Sequence, residues 1–100
     1  MTYEEVKSWF EYSTWKKMSR PSYDCYFSDS SLCIFFYHEE KKIMATLSGR
    51  EASSVADIPL DPAMAEVFAG DVFKFKFPGG GQLQMWLPRD IQLNESEKVF

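Results

Sequence analysis

A chain of 100 residues with 45% hydrophobic content has the size of one domain and is too apolar to stay disordered. Its formal charge is −4, and its longest basic clusters are the pairs Lys16-Lys17 and Lys41-Lys42. That disfavours a nucleic-acid backbone binder, whose affinity rests on several phosphate contacts.

At this length roughly 65% of the unfolded surface is hidden on folding, enough for one core. Nine Phe, five Tyr and three Trp make aromatics 17% of the chain. A core this small cannot enclose all seventeen rings, so some Tyr and Trp are expected at the surface, where such residues anchor contacts with other proteins. No apolar run reaches the roughly 18 residues of a membrane span. The opening MTYEEVKSWF carries acids where a secretion signal needs positive charge and an apolar block. The expectation is a cytoplasmic protein with reduced thiols and no membrane partner.

Thr2 and Glu5 have capping-box spacing, which predicts a helix from Thr2 to about Ser19, stopped by Pro21. Tyr3, Val6 and Phe10 form one stripe with Trp9 at its edge, and Tyr12, Trp15 and Met18 form another. Such a helix is buried between two surfaces, bends near Ser13-Thr14, or offers its second stripe to a partner.

Ser22 to Phe27 alternates as a strand, with a turn at Ser28 to Ser31. Leu32 to His38 reads LCIFFYH, bulky on both faces, as expected of a central strand covered on both sides, or on one side only until a complex forms. Glu39 to Lys42 is a charged hairpin tip and Ile43 to Leu47 a third strand, ended by Gly49. Arg50 to Leu60 reads as a loop with room for a short edge strand near Ser54 to Ile58.

Asp61-Pro62 is a helix start, and Ala63 to Ala69 is predicted as a short helix ended by Gly70. Val72 to Leu87 is the clearest hairpin in the chain. Phe73, Phe75 and Phe77 share a face with Leu83, Met85 and Leu87, across Pro78-Gly79-Gly80-Gly81. Lys74, Lys76, Gln82, Gln84 and Trp86 fall on the other face. Ile91 and Leu93 suggest an edge strand, and Asn94 to Phe100 a frayed tail. The predicted fold is a single α+β domain over residues 1–100. An N-terminal helix accompanies an antiparallel sheet of five or six strands, in two hairpin or meander units separated by the short helix. In element order alone this resembles small acidic secretion chaperones.

The chemistry-bearing residues are sparse. The only His is His38, and Cys25 and Cys33 lack the close pair spacing of zinc ligands. Cys33 and His38 sit at odd spacing on one strand and face opposite ways, which disfavours a Cys–His nucleophile. A turn at 28–31 sets Cys25 near Ile34, so Cys33 is expected on the opposite face, against a disulfide. Glu4-Glu5 is expected in a helix first turn, where acids favour the macrodipole, and Glu39-Glu40 at a solvated hairpin tip, neither with the apolar surroundings that acid catalysis needs. The glycine-rich loop runs into a strand and so lacks the helix N-terminus that binds phosphate. No metal, cofactor or catalytic residue is expected.

The resulting expectation is a non-catalytic module that occupies a surface of another protein, as inhibitor, immunity partner, adaptor or chaperone. Trp9, Tyr12, Trp15, Tyr26 and Trp86 are the candidate contacts. A homodimer through the second helix stripe or a sheet edge is compatible with it. The alternatives are a small cysteine-dependent enzyme and a weak single-strand nucleic-acid binder using Lys74, Lys76 and Trp86.

Overall fold

The computed structural model describes residues 1–28, 31–48, 55–69 and 71–88. It has an α+β architecture: one N-terminal helix and two antiparallel sheets, not the one sheet expected. Helix α1 spans Tyr3–Glu11. Strands β1 (Lys16–Ser19), β2 (Tyr23–Phe27), β3 (Leu32–Tyr37), β4 (Lys42–Ser48) and β5 (Val55–Leu60) form a five-stranded meander in chain order. Strands β6 (Ala65–Phe68), β7 (Val72–Lys76) and β8 (Gln82–Trp86) form a three-stranded meander.

The helix begins as its sequence dictates. The Thr2 hydroxyl accepts from the Glu5 N–H at 3.1 Å, and Glu5 Oε1 accepts from the Thr2 N–H at 3.0 Å. It stops eight residues earlier than expected. The Ser13 hydroxyl donates to the Phe10 carbonyl at 2.7 Å and accepts from the Trp15 N–H at 3.2 Å. A serine side chain bonded to local backbone offers the chain an alternative to the next helical turn. Lys16 to Ser19 then pairs with β2, so the second helical stripe of Tyr12, Trp15 and Met18 does not exist.

The short helix expected at Ala63–Ala69 is also replaced. Asp61 caps Ala63 through its carboxylate at 2.9 Å, and Pro62 opens one 3-10 turn over Pro62–Met64. Ala65 onward is extended and pairs with β7, with Ala65 opposite Phe75 and Val67 opposite Phe73. Seven residues carry too little helix propensity to beat a ladder of strand hydrogen bonds. With one α-helix and eight strands among the described residues, the element order no longer resembles that of the secretion chaperones.

The strand at Val55–Leu60 is longer than the short edge strand expected within Arg50 to Leu60, and it pairs along the length of β4. The β7–β8 hairpin has the expected faces, with Phe73 opposite Met85 and Phe75 opposite Leu83. Gly80 and Gly81 hold φ of 95° and 88°, a region that favours glycine, at the hairpin loop. The expectations for Ile91, Leu93 and Asn94 to Phe100 lie outside the described residues.

Tyr3, Val6 and Phe10 point from α1 into the core. Phe10 packs on Phe36 at 5.3 Å and Tyr26 at 5.6 Å in the larger sheet, and on Phe73 at 5.9 Å in the smaller. Leu32, Ile34, Phe36, Ile43, Ala45 and Leu60 form the larger sheet's side of this core. The helix therefore joins the two sheets through one cluster of rings.

Candidate functional site

Trp15 and Trp86 come together although 71 residues separate them. After Ser13 turns the chain, the Thr14 N–H donates to the Pro88 carbonyl at 2.8 Å. That bond sets the start of β1 beside the end of β8. Trp15 Nε1–H donates to the Trp86 carbonyl at 3.0 Å, and the Trp15 ring packs edge-on against Phe10 at 5.5 Å. Trp15 is thereby anchored by core packing and one hydrogen bond, while the Trp86 side of the hairpin faces outward. Trp86 is 65% exposed. The two indoles border a cleft of about 490 Å3 whose other walls include Phe27, Leu32, Met85 and Pro88, with Lys16 at its edge. One anchored and one exposed indole around an apolar depression match the composition of protein-contact hot spots.

The other expected contact residues fall elsewhere. Trp9 packs on Phe73 at 6.2 Å and lines a separate hollow with Met1, Val67 and Phe68. Tyr12 is the half-buried C-cap of α1. Tyr26 is 1% exposed and belongs to the core, so it has no surface to offer a partner. Its place follows from parity: Tyr26 lies opposite Ile34, on the face that α1 covers.

The core-face end of β1 and β2 holds a polar cluster. The Tyr26 hydroxyl donates to the Glu11 carboxylate, which also pairs with Lys17 at 2.9 Å. Asp24, 7% exposed, pairs with Lys7 at 2.9 Å, with Lys17 at 3.9 Å and His38 Nε2 at 3.8 Å. Burial pushes the Glu11 carboxyl up, but hydrogen bonds from Tyr26 and Lys17 outweigh it and hold its pKa below the ordinary value. Asp24 follows the same balance, with burial opposed by Lys7 and Ser19. The cluster ties α1 to β1 and β2. Its carboxylates are stabilised as anions, the opposite of what a general acid needs.

The cysteines require a correction. Phe27 pairs with Cys33 and Cys25 with Phe35, one residue from the register expected of a turn at 28–31. A one-residue shift reverses the face of every side chain. Cys25 and Cys33 therefore share the face away from α1 as diagonal neighbours, and both are free thiols. Burial, with Cys33 beside it, pushes the Cys25 thiol up to about 11. His38 points to Asp24 on the opposite face, so thiol and imidazole do not meet. Among the described residues, no group of three or more His, Cys, Asp or Glu is placed to hold a metal ion.

The Lys74–Lys76 face is partly engaged within the chain. Lys76 pairs with Glu66 at 3.1 Å, and Lys74 sits over the Phe68 ring at 4.4 Å. No helix among the described residues is long and apolar enough to cross a membrane.

Sequence reasoning placed Trp15 and Trp86 off the core but could not place them together. It read Leu32 and Met85 as core positions and assigned Phe27 no role. The signal within the sequence was Ser13-Thr14, the point where the helix could break. Comparison with known proteins found no matching family model and no similar curated protein or solved structure.

Proposed function

We propose that this protein is a non-catalytic binding module that occupies a surface of another protein through the Trp15–Trp86 cleft. The observation that carries this reading is Trp86, 65% exposed beside an indole fixed by the Phe10 ring and by a hydrogen bond. A tryptophan has only two side-chain torsions to fix, so an exposed indole hides much area on binding at a small cost in entropy. The cleft beside it accepts an apolar side chain, and Lys16 at its edge favours an acidic neighbour on the partner. An inhibitor, immunity partner, adaptor or chaperone would all use such a surface in this way.

The test is affinity capture from nuclease-treated native lysate, followed by titration of the captured partner. Trp86→Ala is expected to weaken binding at least about 30-fold, the range of an interface hot spot. The exposed position keeps the variant folded, with a stability change within about 1 kcal/mol. A partner that binds Trp86→Ala and Trp15→Phe as tightly as the native chain would overturn the cleft as the contact surface.

A further inference from the structure

The five-stranded sheet has a second face, turned away from α1. Three rows of side chains cross it, set by the register. The first row runs Lys16, Phe27, Cys33, Thr46, Asp57 from β1 to β5. The second runs Met18, Cys25, Phe35, Met44, Pro59. Tyr23, Tyr37 and Lys42 make the third. The rings on this face contact one another: Tyr23 with Phe35 at 5.3 Å, Tyr23 with Tyr37 at 5.8 Å, and Phe35 with Tyr37 at 6.4 Å. Met18 is 37% exposed beside them. A central strand with Phe35 and Tyr37 on this side and Ile34 and Phe36 on the other is built to be covered twice, and among the described residues the core covers only one side.

We infer that a second copy of this chain covers this face, in an isologous face-to-face contact about a two-fold axis running along β3. The charges specify both the occupant and the axis. Lys16 and Asp57 stand in one row at opposite edges of the sheet, both exposed. A two-fold axis along the central strand lays β1 of one protomer over β5 of its partner and keeps each row over itself. Lys16 of each copy then meets Asp57 of the other, twice per dimer. The same operation sets Lys42 on β4 over Tyr23 on β2 of the second copy, a cation over a ring.

The other in-plane axis, across the strands, lays β1 over β1 and brings Lys16 toward Arg20. Charge therefore selects the axis along β3. Aligned sheets cross at about 30°, which displaces the row ends by about 5 Å, within the reach of a lysine side chain. At about 4.8 Å per strand and 3.3 Å per residue, the face measures roughly 24 by 17 Å. Side-chain relief brings its accessible area to the order of 600 Å2 a side, at the lower end of specific interfaces, so micromolar association is expected.

The contact shares only Lys16 and Phe27 with the cleft, and Asp57 lies at the far edge of the sheet from it. The experiment is sedimentation equilibrium of the full chain up to a few hundred micromolar, with circular dichroism to verify folding. The native chain is expected to dimerise. Lys16→Glu and Asp57→Lys should each weaken the dimer about tenfold, since each change places two like-charge pairs at the rim. The double variant should return to within about threefold of the native constant. A monomer at the highest concentration would overturn the proposal and assign the face to another occupant. A dimer indifferent to both single changes would overturn it too. Loss in both singles without recovery in the double would overturn the axis.

Discussion

Tyr26 shows how one residue's role depends on parity along a strand. Its ring lies in the core between Phe10 and Phe36, and its hydroxyl reaches the Glu11 carboxylate. Burial, followed by the hydrogen bond to Glu11 and then its charge, raises the Tyr26 pKa, so the hydroxyl stays protonated and donates at neutral pH. Glu11 and Asp24 are both lowered on folding, from ordinary values of 4.5 and 3.8. A group lowered on folding stabilises the protein above its unfolded pKa, and that stabilisation is lost as pH falls through the folded value. Acid should therefore weaken the fold below about pH 4.5 through these two groups. Tyr26→Phe removes the donor to Glu11 and is expected to cost about 1–2 kcal/mol at pH 7. That difference should be smaller at pH 3, below the ordinary glutamate value of 4.5, as Glu11 takes up protons. Urea unfolding of both proteins at the two pH values measures it, and a constant difference would show that the hydroxyl does not act through the Glu11 charge.

Among the elements, the β7–β8 hairpin depends most directly on residue type. Its ladder runs from Val72–Trp86 to Lys76–Gln82, and the loop closes with the Phe77 N–H on the Gly81 carbonyl at 3.1 Å. Positive φ at Gly80 and Gly81 makes alanine strained at both, although nothing lies within 4 Å of a Cβ at Gly80. Gly79 has open space and no positive φ. Gly80→Ala and Gly81→Ala should each cost about 1–2 kcal/mol, while Gly79→Ala should be neutral or slightly stabilising. Thermal unfolding of the three variants separates backbone strain from crowding, because only strain distinguishes Gly79 from Gly80. The hairpin was readable from sequence because its strict alternation and glycine loop are local signals. The first helix was half-readable: its capping box is local too, but its end depends on a strand partner, β2, that periodicity does not contain.

At the scale of the molecule, Phe10 is the joint between the sheets. It has no exposed surface and touches Phe36, Tyr26, Trp15 and Phe73. Phe10→Ala is expected to cost about 3–5 kcal/mol, a large part of the 5–15 kcal/mol typical of a domain. If the chain folds as one cooperative unit, tryptophan fluorescence and far-ultraviolet dichroism will shift together in this variant, as in the native chain. A separate early transition of the β6–β8 sheet would instead show that the two sheets unfold as distinct units. The Trp15–Trp86 cleft depends on the same joint, since β1 and β8 belong to different sheets.

By itself the sequence determined the helix start at Thr2, the alternation of β2 through β4 and the two faces of the β7–β8 hairpin. Each of these rests on interactions a few residues apart, so local chemistry suffices. The tertiary structure alone decided where α1 stops, that Ala65–Phe68 is a strand, and that the strands divide into two sheets. It also set the β2–β3 register, which moved Cys33 to the face of Cys25, and it brought Trp15 to Trp86. These outcomes turn on which distant strand offers its hydrogen bonds and which faces can be buried together. That competition is settled between segments tens of residues apart.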